Sequence, residues 1–191
     1  MKLLKDNLIS PSGKTIAIAY IAVFAATLVG GKLALAIIPN VEIVTILILC
    51  YSTVFGAKYS VPATIIFCIM EAILYPFGSW VLLYFIYWPL LAFGASYALK
   101  KRKICVALIY SLSCTLAFGI LSSLFDACIY SLGTNTADSF FKMFALYYVR
   151  GLWFYAFHLA SSLAGVLILY KPLCKALTYV KNMSQAQLAN D

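Results

Sequence analysis

Six long apolar runs, parted by short breaks, leave this chain few ways to fold. They cover residues 15–36, 41–55, 61–75, 79–99, 104–130 and 148–170. Pro39-Asn40 follows the first run, Gly56 the second, and Pro76 with Gly78 the third. A basic cluster at 100–103 follows the fourth, the Ser, Gly, Thr and Asn of 131–136 the fifth, and Lys171-Pro172 the sixth. Proline and glycine end helices for steric reasons, the first by losing an N–H and clashing with the preceding turn. The chain is 64% hydrophobic and 10% charged, where soluble domains carry about 25% charged residues. A water-soluble core of this size could not hide so much apolar surface. The sequence therefore predicts an all-α membrane protein, one domain of six transmembrane helices.

The second and third runs are shorter than the roughly 20 residues that a bilayer crossing requires. They are expected to tilt against protein or to lie where the bilayer thins. Residues 138–147 read as an amphipathic helix at the membrane surface, with Asp138 as its N-cap. Residues 181–191 read as a polar, mobile cytoplasmic tail. The first run outlasts the roughly 7–15 apolar residues of a signal peptide and is read as a retained helix.

The net charge of +8 comes from short connectors and the two ends rather than from one basic face. Threaded through six alternating spans, eleven of the fourteen Lys and Arg residues fall on one side. Basic loops mark the cytoplasm, so both termini are placed inside. A chain with this distribution offers no surface for nucleic acid. Six cysteines without paired spacing and a single histidine argue against a metal site. No phosphate-binding Gly-rich motif, HExxH motif, facing aspartate pair or Ser–His pair occurs, so neither ATP hydrolysis nor intramembrane catalysis is predicted. No cofactor is expected. An intramembrane enzyme and a small channel or structural subunit are the alternative readings.

On this topology, Lys32, Glu42, Glu71, Asp126 and Arg150 come from five different helices and fall at one depth, in the outer leaflet. The inner halves of the same helices carry no carboxylate. Ionisable residues in spanning segments face the protein interior and mark solute or ion pathways. Pairing of Glu71 and Asp126 with Arg150 would fasten helices 3, 5 and 6, and Lys32 reads as an interfacial anchor reaching water. The cluster nevertheless holds more carboxylates than cations, which points to an outward-facing ligand pocket. Trp80, Tyr84, Tyr87 and Trp88 share one face of helix 4, and helix 6 adds Trp153, Phe154, Tyr155, Phe157 and His158. Apolar, aromatic walls with a few polar groups suit a flat organic solute. The candidate solute contacts are Asn40, Glu42, Glu71, Tyr75, Trp80, Tyr84, Trp88, Asp126, Arg150, Trp153, Phe154 and His158. In helix 1, Ala22, Ala26, Gly30 and Ala34 recur every four residues as a ridge of small side chains. Such ridges let helices approach closely in lipid, whether the neighbour is in the same chain or in a partner.

Taken together, the six spans, the link "AIIPNVEIV" (36–44), "AVFAA" (22–26) and "GSWVLLYFIYWPLL" (78–91) resemble the substrate-binding S-components of energy-coupling factor (ECF) transporters. The resemblance covers nearly the whole chain. It implies an S-component-like bundle, multi-pass in a bacterial or archaeal cytoplasmic membrane, that binds a vitamin or related micronutrient from outside. Cobalamin, riboflavin, thiamine-like compounds and modified-base precursors are all compatible with the aromatic and acidic residues. It further implies docking through the alanine face of helix 1, with Ala22 and Ala26 in that role, onto a transmembrane coupling subunit driven by two cytoplasmic ATPases. The Met-His-Ile-type N-terminal ligands of nickel and cobalt S-components are missing here.

Overall fold

The computed structural model describes residues 13–38, 41–76, 78–134 and 137–190, without side chains at 134–139 and 187–190. Every element among the described residues is helical: α1 (Gly13–Leu35), α2 (Val44–Phe55), α3 (Ala57–Leu74), α4 (Ser79–Ala98), α5 (Ile104–Thr134) and α6 (Ala137–Asn190). All but α2 are long and apolar enough to cross a bilayer. Large apolar side chains such as Ile18, Ile73, Leu90, Ile109 and Ile168 are exposed along the outside. A surface of that kind is stable against lipid and would aggregate in water.

The short second run has a physical explanation. Every residue of α2 except Thr53 is buried, and the helix packs against all five others. A helix that is apolar all round is one that protein surrounds on every side. At 12 residues, α2 serves as the core of the bundle rather than as part of its lipid-facing wall. Phe24, Ala25 and Leu28 of α1 close over one side of this core, and Val166, Tyr170 and Cys174 of α6 over another.

One residue, Gly56, joins α2 to α3. Its backbone has φ 79° and ψ 176°, a combination open essentially to glycine alone. Its N–H donates to the Ser52 carbonyl at 3.0 Å, while its own carbonyl accepts from Ser60 N at 3.2 Å. The joint thus ends one helix and starts the next. Lys181, reaching across from α6, donates to the Val54 carbonyl at 2.7 Å and satisfies part of the open end of α2.

Two sequence expectations fail in α6. The segment 138–147 is not a helix separate from the sixth, and Pro172 does not end that helix. Both belong to one helix of 54 residues, about 80 Å long at the usual rise per residue. No breaker stands between Tyr147 and Arg150, so the helix has nothing to stop it there. At Pro172 the buried residues Tyr170 and Cys174 hold both sides of the proline against α2, and this packing outweighs the lost backbone bond. The tail after Lys181 continues as helix to Asn190. The proposed cap at Asp138 lies outside the described side chains.

Candidate functional site

The last turn of α1, the first of α2, the last of α3 and the first of α4 meet at one end of the bundle, because consecutive helices run in opposite directions. A cavity of about 590 Å³ opens there. Its acidic and basic groups come from different helices. Lys32 of α1 is bonded through Nζ to Oε2 of Glu71 in α3, and Glu71 is only 1% exposed. Glu42 stands just before α2, where its carboxylate accepts from the Thr45 hydroxyl and from Thr45 N–H at 3.4 Å. It thereby satisfies one of the free N–H groups at the helix start. Asp126 of α5 accepts from the Ser79 hydroxyl at the start of α4. His158 Nδ1 of α6 lies 3.9 Å from Glu42 Oε1.

Aromatic rings build the walls. Tyr75, Trp80, Tyr84 and Trp88 form a chain of edge-on contacts, with centroids 6.2, 5.1 and 5.5 Å apart in succession. Edge-to-face pairs at these separations are favourable, and they fix ring orientation. Trp88 is 6% exposed and lines the cavity. Its indole N–H has no acceptor among the described residues. Buried donors are almost always paired in folded proteins, so this one calls for an explanation. On the far wall, the Phe154 and His158 rings lie 4.3 Å apart. Tyr155 packs on Gly119 and its hydroxyl is shared with Ser122 at 3.2 Å and Ser123 at 3.0 Å, which holds α6 to α5.

The structure brings Glu42, Tyr75, Trp80, Tyr84, Trp88, Asp126, Phe154 and His158 to the cavity wall, with Glu71 joined to it through Lys32. Two candidates fall elsewhere. Arg150 is exposed and makes no ion pair among the described residues, and Trp153 is 73% exposed. Trp153 stands on the face of α6 opposite Gly151, Tyr155 and His158, because 100° per residue turns it away. Arg150 stands one turn before Phe154, at the edge of the lining face, with its side chain exposed. The expected fastening of α3 and α5 to α6 through Arg150 is therefore replaced. Glu71 pairs with Lys32, and Asp126 bonds Ser79. Lys32 is likewise no interfacial anchor, since its ammonium group turns inward to Glu71. Asn40 lies outside the described residues.

Sequence reasoning missed Thr115, Phe118, Ser122 and Gly151, which line the cavity with Tyr155. A signal was present. Thr115, Ser122 and Asp126 recur at helical spacing in α5, as do Gly151, Tyr155, His158 and Ser162 in α6. Thr115 and Ser162 hydroxyls meet at 3.1 Å. A small or polar stripe on an otherwise apolar helix marks its interior face.

The ridge on α1 also has a definite place. Ala22, Ala26, Gly30 and Ala34 are all exposed, on the side away from buried Phe24, Ala25 and Leu28. A side chain at Gly30 would meet nothing within 4 Å. The ridge therefore packs against no helix among the described residues.

A second cavity, of about 370 Å³ between α4 and α5, has no charged residue in its wall. Tyr87, Tyr110, Cys114 and Cys128 are the residues in its wall that carry polar side-chain atoms, and the Tyr110 hydroxyl already donates to the Leu91 carbonyl. Comparison with protein-family models, with curated proteins and with solved structures finds no match.

Proposed function

We propose that this chain is the solute-capturing membrane subunit of an importer of the energy-coupling factor type. In this reading it crosses the membrane six times, with both ends in the cytoplasm and the cavity facing out. The observation that carries the reading is the cavity itself. Carboxyl groups from two separate segments, a lysine held by a third, and a continuous run of aromatic rings enclose about 590 Å³, within the range that surrounds a drug-sized molecule. That volume favours riboflavin-sized or thiamine-sized heterocycles over the much bulkier cobalamin. The unpaired Trp88 N–H supports the same view, as a donor for a solute acceptor.

The outward ridge of α1 supports a partner. In lipid, helices associate by close backbone approach rather than by hydrophobicity, and small residues permit it. A transmembrane coupling subunit seated there, powered by two ATPases, would supply the energy that this chain has no motif to harvest. Two experiments test the reading. Mass spectrometry of small molecules that copurify from rich medium should find one flat heterocycle at near-stoichiometric amount; a protein purified empty under all conditions would contradict capture. Ala26→Trp should abolish uptake in cells while leaving solute binding to the purified protein intact. Normal uptake by that variant would remove the docking role.

A further inference from the structure

The cation inside the cavity is the protein's own. Lys32 Nζ lies 4.9 Å from the centre of the Tyr75 ring, 5.2 Å from Tyr84, 5.6 Å from Trp80 and 5.9 Å from Phe67. All four are inside the range at which an ammonium group is attracted to a ring face, and sets of rings of this kind recognise organic cations. The same nitrogen bonds buried Glu71. The cage and its carboxylate come from α3, α4 and Tyr75 between them, while the lysine enters from α1 on a flexible four-carbon stem. The Lys32 side chain keeps 28% of its surface exposed, against 1% for Glu71. Lys32 can leave for water, and Glu71 cannot.

Charge in the rest of the wall runs the same way. Glu42 and Asp126 line the cavity beside this pair, so three carboxyl groups face one ammonium group. Among the described wall residues Lys32 is the one Lys or Arg, and Glu71 already engages it, while His158 lies 3.9 Å from Glu42. A second cation would find Glu71 and a ready-made set of rings, provided that Lys32 withdrew.

We infer that the solute is a flat organic cation, an amine or a cationic nitrogen heterocycle, whose charged group displaces Lys32 from the ring cage and from Glu71. The inference rests on the capture reading and adds the charge of the solute and the event that admits it. Exchanging one ammonium group for another keeps Glu71 paired at every stage, which avoids the large cost of a bare buried carboxylate. It also frees the last turn of α1. Lys32 sits between Gly30 and Ala34 of the outward ridge, so occupancy of the cavity is felt in the turn that carries the ridge.

The test uses the full chain in lipid nanodiscs and three probes of nearly one shape: 1-methylnicotinamide (cation), nicotinamide (neutral) and nicotinate (anion). Equilibrium dialysis gives their affinities for the wild type, Lys32→Met and Lys32→Arg. The expected order for the wild type is cation, neutral, anion. Lys32→Met vacates the cage and should tighten the cation by about tenfold without helping the neutral probe. Lys32→Arg, which also stacks on rings and holds a carboxylate more firmly, should weaken the cation and controls for folding. Cation affinity unchanged or reduced in Lys32→Met would overturn the exchange, as would an anion that binds best and needs Lys32. Binding of nicotinamide or nicotinate in those cases would leave solute capture standing. No binding of any probe to any variant overturns the exchange too, and the copurification experiment then decides capture by itself.

Discussion

The two ends of the bundle are both built from aromatic rings, and they do opposite things with them. At the end away from the cavity, Tyr20, Phe24, Tyr51, Phe55 and Tyr59 pack on one another. Phe24 and Tyr51 stack at 4.1 Å and 12°, and Phe55 lies 4.7 Å from both Tyr20 and Phe24. Phe24, Tyr51 and Phe55 are buried among them. At the cavity end, Phe67, Tyr75, Trp80 and Tyr84 stand around an ammonium group and a volume large enough for a guest. Ring count does not separate a packed end from an open one. Nor does the presence of a cation, since Lys181 lies 5.7 Å from the Phe55 ring. What separates them among the described residues is the carboxyl groups of Glu42, Glu71 and Asp126, brought in from separate segments beside the rings.

Breaking the cavity end at its ion pair should give the largest effect. Lys32→Met leaves Glu71 buried without its cation, and loss of one partner of a buried pair costs about 3–5 kcal/mol. Thermal denaturation in detergent should register it, and the double variant Lys32→Met/Glu71→Leu should recover most of the loss. Equal damage in the single and double variants would mean that the pair is not the source. At the packed end, Phe24→Ala opens a hole in the ring cluster and should cost about 3 kcal/mol. Its effect on probe affinity should be nil, because the two ends share no residue. A matching fall in affinity would erase the distinction drawn between them.

Smaller effects sharpen the picture. Gly56→Ala forces a side chain into a backbone conformation that it resists and should cost about 2 kcal/mol, read from the same melts. Arg150→Ala should stay within about 0.5 kcal/mol of the wild type in stability, with unchanged probe binding. A clear loss of affinity there would restore Arg150 to the site.

Much of this was legible in the sequence, and the failures share one cause. Hydropathy and charge gave the height of each ionisable group along its helix, so Glu42, Glu71 and Asp126 were placed at the end where the cavity lies. Height says nothing about direction around the axis. Trp153 has the right height and the wrong direction, Arg150 stands at the edge of the lining face with its side chain exposed, and Lys32 has a direction that its position at a helix end concealed. The stripe of Gly151, Tyr155, His158 and Ser162 carried the missing angular information. Helix ends were legible where packing and local chemistry agreed, as for α4, expected at 79–99 and found at Ser79–Ala98. They were not at Pro172, where burial on both sides prevails over the local rule. The role of α1 was half visible. Spacing alone showed the small-residue ridge, but only the burial of Phe24, Ala25 and Leu28 on the other side shows that it faces out.

The single-residue connection at Gly56 gives α3 no slack. A longer loop would let α3 slide or roll as the cavity fills; here its starting point is pinned to the helix that protein surrounds on every side. Glu71, about four turns further on, inherits that anchorage and is in effect measured off from the middle of the molecule. On the proposed reading, a guest must therefore adapt to an anchored carboxylate, and whatever gives way on its arrival has to lie on the α1 side.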